Sequence, residues 1–123
     1  MRRNLLRERA AMTLEVERKG DLLVVSPHGR LGEVESQQLE REIVGLIDHG
    51  ARKIIMNFAD VPFITSTCLG VLMLAHKRVR PDGGFIRIAA TQPLVRQILE
   101  ITKLSRLFGL YDGVAEAAKG KTG

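Results

Sequence analysis

The chain has 123 residues, 45% hydrophobic and 27% charged, with a net charge of +5 and one cysteine. That length suffices for one domain with one core, no apolar run reaches the ~20 residues of a membrane-spanning helix, and a lone thiol makes no internal disulfide, which suits a reducing cytoplasm. The surplus charge lies at the ends, four arginines against one glutamate in residues 1–12 plus Lys119 and Lys121, so residues 13–118 carry 13 basic and 13 acidic side chains and, with four Phe, one Tyr and no Trp, lack a basic or aromatic face for nucleic acid.

Residues 1–12 lack the apolar core of a secretory signal and read as a basic arm. Thr13 to Arg18 alternates apolar and charged residues, as a strand with one wet face does. Lys19-Gly20-Asp21 turns the chain, and Leu22 to Ser26 returns as a more buried strand, giving a hairpin. Pro27, Gly29 and Gly32 are expected to interrupt the sheet. A helix starting at 34–36 follows, with Leu39, Ile43, Leu46 and Ile47 on one face and Gly50 as its stop.

Residues 53–58 form a short apolar run, the pattern of a strand buried on both faces. Asp60 and Pro62 break it, and the hydroxyl residues Thr65, Ser66 and Thr67 lead into a helix over 67–79. Pro81 to Gly84 is a turn and Phe85 to Ala89 a further strand. Thr91 is expected to cap the next helix, with Pro93 in its first turn and Leu94, Val95, Ile98 and Leu99 on its apolar side. Leu104, Leu107 and Phe108 extend the core, Leu110-Tyr111 adds an edge strand, and Asp112 is expected to cap a last helix at 113–119. Residues 119–123 read as a tail. Strand–helix alternation after an opening hairpin predicts an α/β fold, a mixed β-sheet with helices packed against it, over residues 13–118.

Small hydroxyls at the start of a helix meet unpaired amides and the positive end of the helix dipole. Ser66 at such a place is either an N-cap, worth about 1 kcal/mol, or a site ready for a phosphate. Cys68 reads as a small buried hydrophobe or, beside a helix start that lowers thiol pKa, as an oxidisable thiol. His28, His49 and His76 stand apart from acidic or cysteine partners at metal-ligand spacing. Asp60 is a turn residue, and Gly83-Gly84 has no phosphate-loop pattern after it. With no nucleophile–base–orienter set and no cofactor motif, the reading is a binding module that needs no metal or cofactor, rather than an enzyme.

Taken together, the segments from 13 to 118 resemble a STAS domain, the module of bacterial anti-anti-sigma factors (anti-sigma factor antagonists) and of some transporter tails. Three stretches carry the resemblance. Gly29-Arg30-Leu31-Gly32 stands where the family reads Gly-x-Leu-Asp. Phe63-Ile64-Thr65-Ser66-Thr67-Cys68-Leu69-Gly70 stands where it reads Asp-Ser-Ser or Asp-Ser-Thr and then Gly-Leu-Gly. Val95 to Leu104 is similar to a valine-rich helix ending in Leu-Thr-Gly-Leu.

The resemblance implies Ser66 as phosphoacceptor, with Thr65 and Thr67 as secondary candidates. It implies a protein partner, a histidine-kinase-like ATPase that is both anti-sigma factor and serine kinase, bound when Ser66 is free and released when it is phosphorylated. The expected working surface comprises Arg30, Gly32, Thr65, Ser66, Thr67, Cys68 and Leu69. Gly32 and Thr65 replace the family's two aspartates and Cys68 replaces a glycine. Two other outcomes fit the same stretches: a STAS subunit of a transporter-associated complex that is never phosphorylated, and a sensor binding a nucleotide or other small anion at the helix start.

Overall fold

The apolar runs form the middle of a five-stranded sheet in the computed structural model, which describes residues 12–120. The strands are β1 (Thr13–Lys19), β2 (Leu22–His28), β3 (Lys53–Asn57), β4 (Phe85–Ala89) and β5 (Leu110–Tyr111), arranged side by side in chain order. The β1–β2 hairpin is antiparallel and every later pairing is parallel. Parallel neighbours need long crossovers. These are α1 (Glu33–Asp48) between β2 and β3, α2 (Ser66–Val79) between β3 and β4, and the pair α3 (Pro93–Ile101) and α4 (Leu104–Phe108) before β5. A short α5 (Val114–Lys119) follows.

Side chains alternate across a strand, so each buried strand feeds two cores. Val25, Ile54, Met56, Ile86 and Ile88 face one way, where they meet Leu39 and Ile43 of α1, Val71, Leu72 and Ala75 of α2, and Val95 and Leu99 of α3. Val24, Ile55 and Ala89 face the other way, against Tyr111 and Ala117. A fully buried Leu or Ile contributes about 1.5–3 kcal/mol, and the first face holds far more of them. The helix layer on that face therefore fixes where the loops at the strand ends can go.

Several local expectations are corrected. Pro27 does not interrupt the sheet: it lies in β2 opposite Leu14, beyond Val25↔Met56 where the pairing with β3 stops. There its missing amide costs no ladder bond on the β3 side. Thr91 does not cap α3, because Gln92 is the N-cap and Pro93 opens the helix, while the buried Thr91 Oγ1 has no partner among the described residues. Asp112 does not cap α5 either: the N-cap is Gly113, in extended conformation. The last residue of the expected basic arm, Met12, packs onto the domain. Met12 is buried, and it exchanges hydrogen bonds with Gln38, its N–H to Oε1 at 3.2 Å and its carbonyl from Nε2 at 3.4 Å. The rest of the basic arm and residues 121–123 of the expected tail lie outside the described residues.

Lys103, between α3 and α4, has φ +66, in the left-handed region where a side chain is strained. It occupies the place of glycine in the Leu-Thr-Gly-Leu pattern. Lys103→Gly is expected to stabilise the fold by about 0.5–1 kcal/mol, the relieved strain outweighing the freedom that glycine adds to the unfolded chain. The thermal midpoint should rise by roughly 2–5 °C.

Candidate functional site

The expected site lies where two loops are stitched together at one end of the sheet. Phe58, Val61 and Ile64 are buried and hold the 58–65 segment down on the core. Leu31 and Ile64 form an isolated parallel bridge. The Leu31 amide donates to the Phe63 carbonyl at 2.9 Å, and the Thr65 amide donates to the Leu31 carbonyl at 3.2 Å. Further back, the Gly29 amide donates to the Asp60 carbonyl at 2.9 Å. The result is that α1 and α2 start side by side, from N-caps Gly32 and Thr65.

Ser66 is the first residue of α2 rather than its N-cap, which moves the helix start one residue earlier than expected. It is exposed, and its hydroxyl makes no hydrogen bond among the described residues. Thr65 takes the N-cap conformation (φ −108, ψ 172) without a side-chain capping bond. Its Oγ1 donates instead to the Leu31 carbonyl at 3.3 Å. An ionised aspartate accepts only, so at this position it would set a carboxylate against a carbonyl. Threonine suits this local geometry. With no cap over them, the first amides of α2 remain available beside the Ser66 hydroxyl.

Acidic groups come from elsewhere. Thr67 Oγ1 donates to Glu33 Oε1 at 2.7 Å, linking the first turns of the two helices. Glu35 Oε1 lies 2.9 Å from where a Cβ on Gly32 would sit. Two glutamates of α1 thus stand around the positions where the family pattern has aspartates. The family motif could not reveal them, since they follow it by one and three residues. Arg30 is exposed with its guanidinium 5.1 Å from the centre of the Phe63 ring, close enough for a cation–π contact.

Of the two readings of Cys68, the small buried hydrophobe holds. Its side chain is buried between α1 and α2, so it offers no contact to a partner. Burial pushes the thiol up to about 12, against a smaller opposing effect of the Ser36 hydroxyl. Leu69 and Gly32 are half-buried. With its thiol raised by burial and closed off from solvent, native protein should alkylate with iodoacetamide far more slowly than an unfolded control in urea.

One cluster was not foreseen. His28 Nδ1 lies 2.6 Å from Asp60 Oδ2, and its Nε2 lies 3.3 Å from Glu15 Oε1. The residues come from the end of β2, from β1 and from the loop feeding α2. Among the described residues no group of three such side chains is arranged to hold a metal ion. The hydrogen bond to Asp60, and then the Glu15 carboxylate beside Nε2, raises the His28 pKa above its usual 6.5. A raised folded pKa means that the pair stabilises fully below the unfolded value and loses this contribution as pH climbs through the folded one. Urea midpoints of wild type and His28→Gln should converge as pH rises from 5.5 to 8.5.

Among the described residues no helix is long and apolar enough to cross a membrane. The STAS domain profile matches residues 13–117. A protein of Thermotoga neapolitana, named as a putative anti-sigma factor antagonist, is 31% identical over 99 residues, covering 79% of this chain and 87% of its own. The crystal structure of a putative anti-sigma factor antagonist from Thermotoga maritima superposes with a TM-score of 0.83 at 24% identity, over 87% of this chain and 92% of that one. The Bacillus cell fate determinant SpoIIAA in its phosphorylated form superposes with a TM-score of 0.70 at 20% identity, over 87% and 97%. At those identities the two solved structures speak for the fold.

Proposed function

We propose, from the premise that this chain belongs to the STAS domain family, that it acts as an anti-sigma factor antagonist switched at Ser66. In this reading the unphosphorylated protein binds a histidine-kinase-like ATPase in the cytoplasm and so frees a sigma factor. The same ATPase phosphorylates Ser66 and ends the binding.

The observation that carries the reading is the exposed Ser66 hydroxyl at the first turn of α2. A phosphate there adds about −1.5 to −2 charges where helix amides and the dipole accept an anion. The domain then has no need to unfold. The charge instead changes the surface shared with Arg30, Phe63 and the Thr67–Glu33 pair. A name carried by a relative, and a phosphorylated form solved for a structural neighbour, support this reading.

The test is a binding measurement against the histidine-kinase-like anti-sigma factors encoded by the source genome. The expected result is a complex with one of them that displaces its sigma factor. Binding to none of them, with recovery in a transporter assembly, would overturn the proposal.

A further inference from the structure

The opposite end of α2 from Ser66 borders a cavity that the proposed switch does not use. It has a volume of about 350 Å³ and is lined by Arg80, Arg87 and Arg106 together with the rings of Phe85, Phe108 and Tyr111. That volume falls in the range of small-molecule sites. The topology opens the space. β5 pairs only with Ile88 and Ala89, so the edge of β4 ahead of them, at Ile86, has no strand beside it. The chain is helical there instead, as α4, and delivers Arg106 and Phe108.

The lining has one sign of charge. No aspartate or glutamate among the described residues contributes to it. Among the described residues none of the three arginines takes part in an ion pair, although three of the six pairs found use Arg52, Arg78 and Arg96. Arg87 is held in place, its guanidinium carbon 3.5 Å from the Phe85 ring centre and its Nη1 donating to the Ala117 carbonyl at 2.9 Å. That leaves most of its five N–H groups uncommitted. His76 lines the same space, edge-on to Phe108 with centroids 5.7 Å apart, and its buried Nδ1 has no hydrogen-bond partner among the described residues. Uncompensated guanidinium groups attract carboxylates and phosphates, which they grip in fork geometry. The aromatic walls favour a flat apolar body.

We propose that this cavity binds a small aromatic anion, a planar ring bearing a carboxylate or a phosphate, with its acidic group on Arg80, Arg87 and Arg106 and its ring among Phe85, Phe108 and Tyr111. The site is independent of phosphorylation at Ser66.

The experiment is an amide-correlation NMR titration of the full chain with phenyl phosphate, benzoate, inorganic phosphate and phenol, each alone. Phenyl phosphate or benzoate is expected to give saturable shifts at residues 84–88 and 106–111, at least tenfold tighter than inorganic phosphate and phenol. The better of the two identifies the acidic group. Arg106→Ala and Arg80→Ala, both at exposed positions, should each weaken it at least tenfold while leaving the urea midpoint unchanged. The proposal fails if neither aromatic anion saturates, if inorganic phosphate binds as well as they do, if the variants bind unchanged, or if the shifts centre on residues 63–69.

Discussion

Ser66→Asp is expected to weaken binding of the ATPase partner by about 100-fold, or about 2.7 kcal/mol, without loss of fold. The size follows from placing a fixed charge in a desolvated contact, where an unmatched charge costs about 2–5 kcal/mol. Stability should move the other way. An anion in the first turn of a helix gains about 0.3–1 kcal/mol from the dipole, and Ser66 gives up no hydrogen bond among the described residues. Ser66→Ala should keep full affinity and change stability by less than about 0.5 kcal/mol, as an exposed substitution does. Titration calorimetry together with urea melts on the same samples separates the two effects. Equal affinity of Ser66→Asp and wild type would remove Ser66 from the contact.

The second large effect is on the fold. Gly84→Ala should destabilise the domain by about 3 kcal/mol, at the upper end of what overpacking costs. A Cβ on residue 84 would overlap the Arg52 carbonyl oxygen and lie 2.9 Å from Val79 Cβ. That oxygen accepts the Phe85 amide at 2.8 Å, so retreat would disturb the pairing of β4 with β3. Against a typical total of about 5–15 kcal/mol, the drop in the urea midpoint should be plain. Its neighbour Gly83 has open space around it but φ +77, so Gly83→Ala should cost only about 1–2 kcal/mol. Two glycines that read alike as a turn thus serve different ends, one conformational and one steric.

What could be read from the residue order, and what could not, divides by distance along the chain. The buried strands at 22–26, 53–58 and 85–89 announce themselves as apolar runs, and α1 by its 3.6-residue spacing, because those signals are local. A cap is also local, yet Thr91 and Asp112 misled. Pro93 sets where α3 begins and Gly113 where α5 does, so a capping side chain nearby is not enough. The exposure of Ser66 followed from the loop-to-helix pattern. Its surroundings did not: Glu33 meets Thr67 across 34 positions and His28 meets Asp60 across 32. The arginine cavity draws on four segments that only folding brings together. For Cys68 the helix start suggested a low pKa, but burial outweighed it.

The most direct measurement is to incubate the wild type and Ser66→Ala with the cognate ATPase and ATP, then map any phosphate by mass spectrometry. One phosphate on Ser66 of the wild type and none on the variant is the predicted result. A phosphate on Thr65 or Thr67 instead, or no phosphate from a kinase shown to be active, would contradict a switch built on that hydroxyl.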